Sequence, residues 1–243
     1  MIGVIVTRMR QRQSPLFLVL KRVVYGARNF RLPFPDFMRP VLRLAFYAQQ
    51  IMLNAVRWLL AVLIYEPLFR GRCSAAGNRL RITRMPYVIG PTSIHIGDDV
   101  DFFGKVDIFS GYVCENPKLI LHDRVTLGHN TQFLVNKLIE IENDVHVASG
   151  VRFMDSDAHP RDMAARIADL PPPEDEVQPV RICRGAWIGH GASILKGVTV
   201  GEGAIIGVNS VVVTDVPPHT VAMGNPARVV VKNMPRAPSW PTS

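Results

Sequence analysis

Aliphatic residues return at every sixth position through much of this chain, and that period constrains the fold more than any other feature. In the clearest stretch the lead positions are Ile182, Ile188, Ile194, Val200, Ile206 and Val212. Four residues beyond each lead stand Ala186, Ala192, Val198, Ala204, Ser210 and Val216, all small or β-branched. Neither a 3.6-residue helix nor an alternating strand has this period. A strand-and-corner unit does: each hexapeptide forms one short face of a triangular prism, the lead side chain points inward, and the small residue fits the corner. Three units close one coil, which hydrogen-bonds in parallel to the next at roughly 4.8 Å and stacks its aliphatic residues into a continuous interior.

Earlier coils follow the same rule with interruptions. Ile96, Phe102 and Ile108 lead one, Leu121, Leu127 and Phe133 another, and Ile141, Val147 and Phe153 a third. With the two made by 182–198 and 200–216, the pattern predicts a mainly β fold, a parallel β-helix of about five coils. The register breaks at 109–120, 134–140 and 154–181, where loops leave the prism. The expected organisation is a segment 1–72, a β-helix domain 73–232 with its long loop at 154–181, and a tail 233–243.

The 243 residues carry a formal charge of +8, but residues 1–72 hold +10 of it and the remainder is −2. A basic segment that is also apolar points to an anionic bilayer surface, and not to nucleic acid. Leu42, Phe46, Leu53 and Leu60 advance by helical steps, as do Ile51, Ala55, Trp58 and Val62, so two or more helices are expected. Pro33, Pro35 and Pro40 punctuate their start, and Pro67 is expected to close them. No run of about 18 uninterrupted apolar residues exists, which argues against a bilayer-spanning helix. The run Pro15–Leu20 is too short for a secretory signal, and Lys21 and Arg22 follow it. Two readings of the helices stay open: packing on the rest of the protein or a sister subunit, or lying in a membrane interface with Trp58, Phe46 and Tyr65 at headgroup depth. Cys73, Cys114 and Cys183 lie far apart in no metal-like spacing, which suggests a reducing compartment. The expected location is cytoplasmic, peripheral on the inner face of the cytoplasmic membrane.

The segment PVRICRGAWIGHGASILKGVTVGEGAIIGVNSVVVTDVPPHTVAMGNPARVV (179–230) resembles the hexapeptide-repeat acyltransferases, most nearly the maltose/galactoside and polysaccharide O-acetyltransferase group. The likeness covers roughly 88–232 and implies that the helix is left-handed, against the usual crossover preference. It also implies an acetyl-CoA donor, no metal, and a homotrimer whose active sites lie between neighbouring prisms. The family's catalytic His-Pro corresponds to His159 in FMDSDAHPRD. An imidazole titrating near neutral pH can take the proton of an acceptor hydroxyl as it attacks a thioester. Asp157 or Asp155 is a candidate to orient that ring, and either could instead bind acceptor hydroxyls.

By the same resemblance the residue after Trp-Ile-Gly, here His190, supplies a main-chain oxyanion donor. The family often has a small residue there, so a second catalytic imidazole is a lesser alternative. The CoA lining would include Trp187, Gly207, Val208, Val213 and Thr214, with Arg228 and Lys232 near the nucleotide phosphates. Val213-Thr214 stands where the family often has Thr-Lys. The favoured acceptor is a saccharide, specifically a surface-polysaccharide or lipid-linked glycan precursor. Alternatives are N-acetylation of an amino sugar, a zinc-dependent γ-type carbonic anhydrase using His122, His129 and His146, and a non-catalytic membrane scaffold.

Overall fold

The computed structural model describes residues 15–31 and 35–231, so Pro33, Lys232 and the tail 233–243 lie outside the described residues. The chain forms two compact units, Met1–Leu53 and Asn54–Ser243. In the first, α1 spans Pro15–Asn29 and the first part of α2 (Arg39–Leu60) follows.

In the second unit α2 runs without interruption into a π-helical turn, Ala61–Tyr65, and then into α3 (Glu66–Arg72). Pro67 therefore does not end the helix as expected. The wide turn, in which the Glu66 N–H reaches the Ala61 carbonyl, admits a proline that an ordinary helical turn would reject. The outcome is one helix, Asp36–Arg72, long and apolar enough to cross a membrane by length and composition. Gln49, Gln50, Asn54 and Arg57 are spaced along it, so no apolar run of about 18 residues in it is unbroken.

Beyond the helix the chain winds six coils, one more than expected. The first face stacks Ala75–Ala76, Ser93–Ile96, Lys118–Leu121, Leu138–Ile141, Val180–Ile182 and Thr199–Val200 in parallel. The second stacks Arg81–Ile82, Asp101–Phe102, Thr126–Leu127, His146–Val147, Trp187–Ile188 and Ile205–Ile206. Val221–Gly224 extends this face, and Ala227–Val231 folds back antiparallel on it. The third stacks Tyr87–Ile89, Val106–Phe109, Thr131–Leu134, Arg152–Met154, Ser193–Ile194 and Val211–Val212. This is a left-handed parallel β-helix. The two residue sets in the six-residue register, Ile182 to Val212 and Ala186 to Val216, are buried. Inside the prism Phe133 and Phe153 stack at 5.2 Å between centroids. Phe69 of α3 is fully buried 5.7 Å from Phe102 and closes the open N-terminal end, where a bare first coil would expose its interior.

The corner between first and second faces needs one left-handed residue per coil: Arg79, Asp99, Arg124 and Asp144 take it in coils 1 to 4, Gly185 and Gly203 in coils 5 and 6. The charged residues there accept a strained φ and pair along the column, Arg79 with Asp99 and Arg124 with Asp144. These pairs hold Asp99 and Asp144 below the usual carboxylate range, chiefly through their hydrogen bonds to Arg79 and Arg124. Loops leave the prism between third and first faces, at 110–117, 135–137 and 155–179, as the broken register predicted.

Candidate active site

The long loop begins where coil 4 ends at Met154. Asp155 is fully buried, and its carboxylate accepts the N–H groups of Asn136, Lys137 and Leu138 at 2.7–3.0 Å. Burial pushes this carboxyl above its ordinary range, while those N–H bonds pull the other way. The expectation that Asp155 contacts acceptor hydroxyls is corrected on this geometry: its oxygens face main-chain donors inside the loop root, and they tie the third loop to the second.

Ser156 is also buried, accepting from the Asn136 side chain at 2.9 Å and from the Ala158 N–H at 3.0 Å. Ala158 turns the chain with φ of 66°, and Pro160 is buried again. His159 lies between these anchors with its side chain exposed and no hydrogen-bond partner among the described residues. A fixed backbone thus presents a free imidazole. Asp157 does not reach that ring. Its carboxylate accepts from Lys196 Nζ at 2.6 Å and has Arg161 at 3.7 Å, so it braces the loop against the end of coil 5. Lys196, mostly buried at that corner, was not singled out from the sequence. The signal was its position just past Ile194-Leu195, where the third face ends and the loop returns.

His190 sits at the corner between second and third faces, exposed, with its carbonyl accepting from the Asn209 N–H at 2.8 Å. Its own N–H donates to no acceptor among the described residues. At the same corner in coil 3 the N–H of His129 is satisfied by Ser149 Oγ at 3.1 Å. The residue one coil above His190 at this corner is Val208, which has no oxygen on its side chain. The His190 main-chain donor is therefore left free at this corner, as are those of Gly104 and Ser149 at the same position in coils 2 and 4 among the described residues.

Trp187 is 53% exposed on the second face of coil 5, and Val208 is 64% exposed above the neighbouring corner, next to Gly207. Val213 and Thr214 are exposed just beyond coil 6, and Arg228 is exposed on the returning strand. These residues collect toward the C-terminal end of the prism. Val213 lies on the edge that carries the His159 loop, lining a pocket with Asp157, Arg161 and Lys196, but His190 and Val208 are not brought to His159 within one chain: His159 leaves the corner between third and first faces, while they hold the corner between second and third.

The three histidines considered for zinc diverge. His122 meets Glu140 at 2.9 Å by the first face, His146 meets Thr126 at 2.8 Å on the second, and His129 occupies the second corner. Among the described residues no group of three or more His, Cys, Asp or Glu side chains is arranged to hold a metal ion.

Residues 179–214 match the family described as bacterial transferase hexapeptide (six repeats). The chain is 38% identical over 105 residues to "Putative acetyltransferase C18B11.09c" of Schizosaccharomyces pombe, covering 43% of this chain and 48% of that one. It is 33% identical over 114 residues to "Putative acetyltransferase YJL218W" of Saccharomyces cerevisiae, covering 47% and 56%. The chain thus spans about half the length of the curated relatives it matches. Among solved structures the fold is similar to AntD, an N-acyltransferase from Bacillus cereus in complex with dTDP and 3-hydroxybutyryl-CoA. That similarity has a TM-score of 0.54 at 19% identity and covers 70% of this chain and 88% of that chain.

Proposed function

We propose that this protein transfers an acetyl group from acetyl-CoA directly to a hydroxyl of a saccharide, with His159 as general base. The observation that carries the reading is the free imidazole of His159, held on a backbone fixed by buried Ser156 and Pro160. Such a ring is positioned to take a hydroxyl proton, and direct transfer requires no covalent enzyme intermediate. The unpaired N–H of His190 would meet the developing oxyanion. The exposed surface from Trp187 to Val208 would line the pantetheine arm, with Arg228, and Lys232 beyond the described residues, toward the phosphates.

His159 and His190 lie on different edges of one prism, so a complete site requires the edge of a second prism. A homotrimer with three equivalent sites meets that requirement by bringing His159 of one subunit against coils 5 and 6 of the next. The acceptor we favour is a surface-polysaccharide or lipid-linked glycan precursor, because the helix Asp36–Arg72 leaves Leu44, Ile51 and Leu63 bare on its surface. Arg43, Arg57 and Arg70 recur along it so that no stretch of about 20 residues is free of charge. Spanning would bury Arg57 in hydrocarbon, so we place the helix in the inner interface of the cytoplasmic membrane, with its arginines at phosphate depth.

The test is mass spectrometry of surface glycans from cells with and without the protein, followed by transfer assays with purified enzyme and acetyl-CoA. Acetyl gain that depends on wild-type protein and disappears with His159→Ala supports the reading; acetylation retained by that variant rejects the base. AntD bears the name of an N-acyltransferase and is solved with dTDP-4-amino-4,6-dideoxyglucose and CoA, which favours amide formation on an amino sugar as a second reading. Lability of the product to hydroxylamine separates ester from amide.

A further inference from the structure

A groove of about 450 Å³ opens in the second unit between the helix from Asn54 to Glu66 and the first three coils. Its walls are apolar, with Trp58 and Val62 on the helix side and Ile82 and Phe103 on the coil side. Trp58 and Phe103 are 63% and 54% exposed, so hydrocarbon laid here would cover apolar surface now facing water. Three arginines stand at the groove. Arg81 is matched bidentately by Asp101, but Arg57 and Arg84 have no acidic partner among the described residues. An apolar trough with two uncompensated guanidinium groups is complementary to an anionic phosphate attached to a hydrocarbon chain.

We propose that this groove binds one acidic phospholipid of the bilayer, its phosphate between Arg57 and Arg84 and an acyl chain along Trp58, Val62 and Phe103. The proposal rests on the membrane reading given above and adds a defined site to it. The groove is separate from the proposed CoA surface: Arg84 lies in coil 1 and Val208 in coil 6, five rises of about 4.8 Å, roughly 24 Å apart along the prism. A bound lipid would fix the height of the prism above the bilayer by gripping the coil itself and not only the helix. The lipid would thereby set where the transferase edges face.

The test uses the full-length protein, reconstituted with phosphatidylcholine vesicles containing phosphatidylglycerol, re-extracted in mild detergent and examined by native mass spectrometry. Wild type should retain one phosphatidylglycerol per chain. Arg84→Gln, on an exposed corner of the coil, should lower retention at least ten-fold while the protein still floats with vesicles, because the helix is intact. Val62→Trp, which fills the groove without changing charge, should lower it similarly. Equal retention in both variants, or equal retention of phosphatidylcholine, would overturn the site. So would loss of the bound lipid to an equimolar prenyl phosphate, which would make the groove an anchor for the acceptor's carrier. Acetyl transfer measured on the same preparations keeps the readings apart: lipid retention without transferase activity defeats the enzyme reading alone, and activity without retention defeats this one alone.

Discussion

Lys196 Nζ lies 2.6 Å from the Asp157 carboxylate and joins the end of coil 5 to the loop that carries His159 two residues further on. The pair does not touch the proposed base. It acts by fixing the backbone from which the base projects, together with the buried staples at Asp155 and Ser156.

Lys196→Met should therefore lower kcat for acetyl transfer by about ten-fold to a hundred-fold, because misplacing a base by about 1 Å costs that much. KM for acetyl-CoA should stay within about two-fold, and the conservative Lys196→Arg should keep most of the rate. An unchanged kcat in the methionine variant would show that the pair is only a surface contact.

Asp155→Ala leaves the N–H groups of Asn136, Lys137 and Leu138 without their acceptor in a buried setting. Each unsatisfied group costs about 1–3 kcal/mol, so the variant should lose at least about 3 kcal/mol and melt roughly 6–12 °C lower. Asp155→Asn should lose less, since one oxygen remains. Thermal denaturation of both variants decides it, and a melting point within about 2 °C of wild type would leave Asp155 free for another role.

Phe69→Ala should cost about 3–5 kcal/mol, the usual range for deleting a buried aromatic ring. The ring fills the mouth of the prism against Phe102, so loss of protection should appear first in coils 1 and 2. Hydrogen exchange localised to 75–109 is the readout, and uniform loss along all six coils would contradict the capping role.

Much of the column was legible in the sequence because its interior is made by residues that repeat locally. Coil 1 was missed although Ala76, Ile82 and Val88 keep the six-residue step, since Ala76 is a weak lead and Gly90-Pro91 shifts the phase before Ile94 and Ile96. The ion pairs were missed because Arg79 and Asp99 are twenty residues apart and meet only when one coil stacks on another. That His159 lies in a loop off the prism was legible from the broken register, whereas the bracing of that loop was not: Asp155 and Asp157 look alike in sequence, and only burial separates the staple from the exposed partner of Lys196. The helix ran past Pro67 because a π-helical turn precedes that residue, a local geometry that side-chain periodicity does not encode.

Asp99 and Asp144 titrate below an unfolded aspartate, whose value is about 3.9. Their pairs with Arg79 and Arg124 therefore contribute their full stability above about pH 4, and the contribution is lost as pH falls through the depressed folded values. Chemical denaturation followed from pH 6 down to about pH 2 should show this fall, and Arg124→Gln should flatten part of it. A variant whose stability keeps the wild-type slope below pH 4 would remove the ladder from the account of acid sensitivity.

The free N–H of His190 gives the sharpest test of the proposed chemistry, because a neighbour can cap it without altering His190 itself. In coil 3 the equivalent donor of His129 is taken by Ser149 Oγ, and Val208 occupies the corner position one coil above His190. Val208→Ser should bring a hydroxyl to that donor and lower kcat by about a hundred-fold, the scale expected for removing one oxyanion contact. Val208→Ala, which lacks the hydroxyl, should stay within about three-fold, and so should His190→Ala, which keeps the main chain. Should His190→Ala instead lose about a hundred-fold while Val208→Ser is active, the imidazole and not the backbone would be the group that acts, and His190 would become a second catalytic side chain.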